Sequence, residues 1–319
     1  MRSREGGGTP ALRHMNQSKG RSASTLTEQE VAMKPFRWIC VVFLLALPLT
    51  AQGEYKTLDE LTKAYSVDKC KSCHGTVHKE WEASYHSQSV VHSLGGIRNF
   101  IVVGVGKEYD EPMSKEHLLR CMGCHAPQIK DASESLAKEI ASLIITAKDA
   151  KSRSKKNAAK KKLAKLNVNC IICHNTMIKV AKNVRGDPRP GVFYGPKGGK
   201  SSAHKTEKTT EISRSVFCGQ CHGIYTPPDG DTIGCNTLYG SYQDAYRGNG
   251  GTETCQACHM GKKKRGHTFP GAYQVGIVKE GIGLDVQAMG IKLHPGKWIP
   301  TAIVDIGLTN KAGHRIPDG

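Results

Sequence analysis

Residues 70–89 read CKSCHGTVHKEWEASYHSQS. Two cysteines three positions apart run directly into a histidine, and further histidines follow at His78 and His86. The first unit is Cys70-Lys71-Ser72-Cys73-His74. The same pentapeptide pattern recurs as Cys121-Met122-Gly123-Cys124-His125, Cys170-Ile171-Ile172-Cys173-His174, Cys218-Gly219-Gln220-Cys221-His222 and Cys255-Gln256-Ala257-Cys258-His259. Ten of the 12 cysteines in the 319-residue chain fall in these five units, which leaves Cys40 and Cys235.

C-x-x-C-H is the attachment signature of c-type haem. A short helical turn carries both sulfurs to the two vinyl groups of one porphyrin, and the next residue presents its imidazole to the iron from the same side. Zinc sites use C-x-x-C pairs but need no histidine after each one. Thioredoxin-like pairs are usually single and sit in a βαβ context that is absent here. Disulfide pairing would not generate five identical units. The pairs Cys70 and Cys73, Cys121 and Cys124, Cys170 and Cys173, Cys218 and Cys221, and Cys255 and Cys258 are therefore expected to bind five covalent haem c groups. His74, His125, His174, His222 and His259 are the expected proximal iron ligands.

The composition is consistent with that reading. Aromatic residues make up 6% and hydrophobic residues 38%, thin for a chain this long, so a core borrowed from flat apolar porphyrins is expected. Folding should then be coupled to haem attachment. The formal charge is +18, and residues 1–53 hold seven basic and three acidic side chains, so +14 lies beyond them. A ferric haem with both propionates ionised counts about −1, and five bring +14 to about +9. That weakens a nucleic-acid reading, and none is expected as a partner.

The front of the chain reads as a targeting segment. Residues 34–53, KPFRWICVVFLLALPLTAQG, give a basic start, an apolar run and small residues at a cleavage position. The run is short for a membrane span, which needs roughly 20 apolar residues. An uncleaved anchor is the alternative. Residues 1–32 are polar and without periodicity, as expected for an upstream extension ahead of a true start at Met33. The mature chain is expected to begin near Glu54, to be exported to the periplasm or cell exterior, and to lose Cys40. Cys235 is then unpaired: a buried thiol, or an intermolecular disulfide.

With the proximal histidines and His14 set aside, His78, His86, His92, His117, His204, His267, His294 and His314 remain for five distal positions. That supply suggests bis-histidine ligation throughout, although Met113 or Met289 could also serve. His78, four residues after His74, points along the proximal side and is expected at the surface. His117, on an expected helix over 114–120, either serves a neighbouring haem or is solvated. His294 reads as a turn residue, and His92 is left open. Within a helix, His86 lies about 18 Å along the axis from His74, too far to reach the same porphyrin.

Residues 70–86, with Trp81-x-x-Ser84-x-His86 after the motif, resemble the multihaem cytochrome c-554 family (cytochrome c-552/4 domain). So do CMGCHAP at 121–127, the fourth motif preceded by His204, and CQACHM at 255–260 followed by His267-Thr268-Phe269-Pro270-Gly271. The resemblance covers roughly residues 65–275. It implies that His86 and His204 cross over to the third and first haems, and that His267 is an axial ligand. Asn310-x-x-Gly313-His314-Arg315-Ile316-Pro317-x-Gly319 resembles a motif that closes the haem region of related proteins, with His314 as a ligand and a β-sandwich following. The fifth haem departs from the family's four-haem pattern.

The expected fold is mainly α with extensive loops, organised around the haems. Residues 54–273 form the pentahaem domain and 274–319 start a β-type segment. Leu136, Ile140, Leu143, Ile144 and Ala147 recur at helical spacing within 131–166. Residues 148–165, KDAKSRSKKNAAKKKLAK, are either a solvated face or a docking patch for an acidic partner. Residues 183–202 and 226–251 read as loops. Val275-x-Ile277, Ile291-x-Leu293 and residues 302–306 read as short strands. The expected activity is electron transfer between redox partner proteins, such as a membrane quinol-oxidising complex or other cytochromes. The alternatives are an enzyme acting on a small nitrogen or sulfur compound at one open-faced haem, and a subunit of a haem filament or membrane redox complex.

Overall fold

The computed structural model describes residues 54–108, 112–179, 189–223 and 237–317. The targeting segment, Cys40 and Cys235 lie outside them, as do parts of the two expected loops. The chain is mainly helical, with one β-hairpin near its C-terminal end.

Capping side chains mark where helices start. Thr57 opens α1 (Leu58–Ala64) with a full capping box: Glu60 N donates to Thr57 Oγ1 at 3.2 Å, and Thr57 N donates to Glu60 Oε2 at 3.0 Å. A 3₁₀ turn, Asp68–Ser72, leads through the first motif into α2 (Gly75–Glu82). Next come α3 (Ser89–Asn99) and its π-helical continuation Phe100–Glu108. Ser114, Ser133 and Ser152 cap α4 (Lys115–His125), α5 (Glu134–Asp149) and α6 (Arg153–Leu163), each by accepting a backbone N–H from the first turn. The helix expected over 114–120 thus runs on through the whole second motif. Asn169 caps α7 (Cys170–His174), which is the third motif. Further on are α8 (Ser215–Gly219), α9 (Leu238–Ser241) and α10 (Val275–Gly281).

The thin composition conceals a real side-chain core, contrary to expectation. Leu61, Val90, Leu94, Leu118, Met122, Leu136, Ile140, Ile144, Leu163 and Leu166 form one buried cluster between α1, α3, α4, α5 and α6. Residues 85–107 are long and apolar enough to cross a membrane by length and composition. Val90, Leu94, Ile97, Ile101 and Val105 of this stretch are buried within the protein, as in a core helix. The borrowed-core expectation suits the later half better. There the described residues give one small cluster, Ile178, Val192 and Tyr194. Ile140→Ala is expected to cost about 2–5 kcal/mol, because it leaves a cavity at a fully buried site. The check is a lower denaturant midpoint at unchanged slope.

The two expected loops contain regular structure. Within 183–202, β1 (Val192–Gly195) pairs in parallel with β2 (Lys205–Lys208). Within 226–251, α9 and the π-helical Tyr242–Arg247 put Tyr239, Tyr242 and Tyr246 on one face, with successive ring centroids 6.2 and 5.7 Å apart. That stack supplies the packing a loop would lack. Val275-x-Ile277 is helical rather than extended. With no strand alongside, its amides bond locally, Ile277 N and Val278 N both donating to Gln274 O.

The hairpin itself is as expected and longer. β3 (Ile282–His294) and β4 (Lys297–Asn310) pair antiparallel, with an irregularity between Met289 and Ile291. His294 ends β3 at the turn, where Gly296 adopts φ 75°, a conformation glycine permits. Leu284 faces Leu308 and Val286 faces Ile306, all four exposed on one side of the sheet.

Candidate haem sites

Each motif sits on a single helical turn. His74 N donates to Cys70 O at 2.8 Å, and His222 N to Cys218 O at 2.9 Å. This is the turn expected from the spacing.

Four of the five proximal rings face a second imidazole from a distant part of the chain. Ring centroids are 6.4 Å apart for His74–His204, 6.0 Å for His86–His222, 6.4 Å for His174–His267 and 6.3 Å for His259–His314. These rings do not touch. A metal–imidazole bond of about 2.0–2.1 Å on each side puts two trans rings about 6.3 Å apart, centre to centre. Interplanar angles range from 18° to 66°, which two axial ligands tolerate because each ring turns about its own bond.

The ring tautomers also suit a metal. Nδ1 of His174 donates to Tyr194 O at 2.8 Å, that of His259 to Pro270 O at 2.8 Å, that of His314 to Arg315 O at 2.8 Å and that of His125 to Ser89 O at 3.2 Å. A backbone carbonyl can only accept, so the proton sits on Nδ1 and the Nε2 lone pair is free. Burial pushes His125, His174, His222, His259 and His267 below the usual histidine range, and His86 down to about 4. They are neutral at neutral pH, the form that binds iron. All ten motif cysteines are free thiols. The residues present therefore fit haem c.

Cys73 differs from the other nine. It is exposed, whereas Cys70, Cys121, Cys124, Cys170, Cys173, Cys218, Cys221, Cys255 and Cys258 are partly buried. The reason is local: Cys73 follows a 3₁₀ turn, Asp68–Ser72, that buries none of its own residues. Its backbone N–H still closes that turn on Cys70 O at 3.3 Å, so the motif spacing is kept. The Sγ accepts the Ser72 hydroxyl at 3.8 Å.

The sites adjoin in an order that differs from the sequence. Cys70 lies beside Cys170, Cys124 beside Cys221, and Cys218 beside Cys255, close enough for each thiol to perturb the other's ionisation. Cys173 is close enough to Cys218 and Cys221 to push both thiols up electrostatically. The ring of His174 feels His74, and that of His222 feels His125 and His259. The spatial succession is thus first, third and fourth motif, with the second and fifth both against the fourth.

Several expectations change here. His204 lies across from His74 as the crossover reading has it, but His86 lies across from His222 of the fourth motif; the third is faced by His267. His78 is buried, 5% exposed, with its ring edge-on to Trp81 and Nδ1 3.4 Å from Glu82 Oε1. Trp81 Nε1 donates to Val168 O at 2.8 Å, which turns this side of α2 inward. His117 is eight residues before His125 on the same helix, so it cannot reach across to that ring, and its Nδ1 lies 3.0 Å from Ser114 Oγ. Among the described residues, His125 is the one proximal ring with no imidazole facing it. His92 packs on Tyr85 with centroids 4.4 Å apart.

One turn, Gly266–Thr268 and the three residues after it, serves three sites, and only His267 in it was singled out. His267 faces His174, Phe269 packs edge-on against His86 at 4.6 Å, and Pro270 O receives His259. Phe269 holds φ 42°, a strained value for a side chain of its size. The string His-Thr-Phe-Pro-Gly carries the only sequence signal, a proline and glycine closing a turn.

On the basic stretch, Lys155, Lys160, Lys161 and Lys162 of α6 are exposed, while Ala159 and Leu163 anchor the helix on the core. Lys165 pairs with Asp59 at 3.1 Å.

The family model described as cytochrome c554 and c-prime matches the chain twice, over residues 69–142 and 120–192. No curated protein and no solved structure matches. The two stretches overlap and contain the first three motifs, each on the helical turn described above. Over residues 69–192 the chain is similar to the family of cytochrome c554 and c-prime, a similarity that supports a haem-containing electron-transfer cytochrome.

Proposed function

We propose that this is an exported multihaem cytochrome with five haem c sites that relays electrons between redox partner proteins. The single observation that carries the reading is the set of four imidazole pairs held 6.0–6.4 Å apart, each joining a motif histidine to one from elsewhere. When bound, haem iron supplies one-electron exchange between its ferric and ferrous states. The chain's own part is to fix ligands, spacing and charge. His204, His86, His267 and His314 close four sites and tie distant segments together. Backbone carbonyls hold the Nδ1 protons and so fix ring orientation. The adjoining motifs set a route from the first through the third to the fourth, where it branches.

Export rests on the apolar run at 34–53. The exposed lysines of α6, whose chain continues directly into the third motif, suit an acidic partner such as another cytochrome or a subunit of a quinol-oxidising complex. The lone His125 ring favours a second reading for one site. An iron bound there by a single histidine would have a face open to a small ligand, as an enzyme acting on a nitrogen or sulfur compound requires.

Spectroscopy of the ferric protein tests both. We expect covalent mass for five haems, with four low-spin and one high-spin centre. Exogenous cyanide should convert the high-spin centre. Five low-spin centres would reject the open site; two or more high-spin centres would reject the four-pair assignment.

A further inference from the structure

We propose that Glu80, on the helix behind the first motif, is a positioning residue that lowers the redox potential of the third-motif site by holding an uncompensated carboxylate against its distal ligand, His267. The inference rests on the reading of His174 and His267 as axial partners.

Glu80 Oε2 accepts the backbone N–H of His267 at 2.9 Å and lies 3.9 Å from that ring's Nδ1. The approach depends on Gly266. Its φ is +54°, and a Cβ there would stand 2.2 Å from the carboxylate oxygen. The side chains are about one-third exposed or less, Glu80 27% and His267 32%, so solvent screens the charge only in part. Among the described residues no lysine or arginine pairs with Glu80. The nearby Lys263 and Arg265 are both taken by Glu280, at 2.6 and 2.7 Å.

The other paired rings are held differently. His174, His259 and His314 give Nδ1 to backbone carbonyls at 2.8 Å, and His204 lies 3.4 Å from Lys205 O. Among the described residues, His267 is the one paired ring with a carboxylate within 4 Å. A carboxylate on the outer side of an axial imidazole raises the ligand's basicity and favours the ferric state. Because Glu80 belongs to α2, the first motif's helix thereby sets the electrostatics of the next site along the route.

Glu80→Gln tests this, because the amide oxygen still accepts His267 N–H while the charge is gone. The readouts are haem mass, ferric spectrum and potentiometric titration at fixed pH. We expect unchanged mass and spin state, with one midpoint of the five rising by roughly tenfold in oxidised-to-reduced ratio, about 59 mV for a one-electron couple. The shifted haem must be the one that His267→Ala converts to high spin. Unchanged midpoints, or a shift in a different haem, overturn the proposal. A Glu80→Gln protein that loses a haem or a low-spin centre also overturns it, since Glu80 would then be structural support. If His267→Ala leaves the spectrum unchanged, the axial assignment fails and takes this proposal with it.

Discussion

Replacing His86 with alanine should leave all five haems attached and convert one of them, at the fourth motif, from low to high spin. Attachment depends on the sulfurs of Cys218 and Cys221, which the substitution does not touch. The iron ligand on the far side is another matter. The His86 ring stands 6.0 Å from that of His222 and packs edge-on against Phe269 at 4.6 Å. Burial holds it neutral down to about pH 4. Its backbone is fixed as well, since His86 O accepts Val168 N at 3.1 Å. Alanine cannot reach the iron, and among the described residues no other imidazole faces His222. The high-spin fraction of the ferric spectrum should therefore rise by one haem in the variant. The assignment is checked in a background carrying Cys218→Ser and Cys221→Ser, where His86→Ala should change nothing. An unchanged high-spin fraction would show that His86 is not a ligand. A further high-spin haem gained on His86→Ala in that background would put His86 on another site.

The motifs were legible because attachment chemistry is local. Two thioethers and one axial bond would be satisfied within five residues, so spacing alone points to the motifs from Cys70 to His259 as expected haem-binding positions. How far each sulfur is enclosed is not set by the motif spacing, and Cys73 lies open where its nine counterparts are partly covered. The distal partners are likewise set by tertiary structure. His86 lies outside its own turn, and its helical distance shows that it must cross over, but not to which motif. The answer depends on the 3₁₀ turn Tyr85–Gln88 and on the backbone of Val168, neither of which has a sequence signal. Glu80 is harder still. Its bond to His267 spans 187 positions, and a lone glutamate on a polar helix reads as solvated. The helical core was half legible. Leu136, Ile140 and Ile144 recur at helical spacing, yet low total apolar content concealed how completely α3, α4 and α5 bury each other. His78 was misplaced because periodicity says which residues share a face, and not whether that face packs on a neighbour.

Removing the third haem with the pair Cys170→Ser and Cys173→Ser should cut the first site off from the other three. In sequence the first motif is followed by the second, and a string in sequence order would survive this change at that end. The spatial order is different. Cys70 lies beside Cys170, and Cys173 is near enough to Cys218 and Cys221 to raise both thiols electrostatically, so the third motif bridges the first and the fourth. The second motif touches the fourth through Cys124 and Cys221, at a branch tip. Serine is close to cysteine in size, and the main core lies among α1, α3, α4, α5 and α6, so the fold should persist. After injection of less than one electron per molecule, the unmodified protein should equilibrate its haems in one fast process. The variant should show a separate phase for the first haem, slower by an order of magnitude or more, because a protein-filled gap replaces a redox centre. The control is Cys121→Ser with Cys124→Ser, which also removes one haem but only from a tip. There the remaining four should still equilibrate quickly. Slowing in both variants would reject the branched order in favour of a string that follows the sequence, which either deletion breaks, and slowing in the control alone would reject the branched order as well.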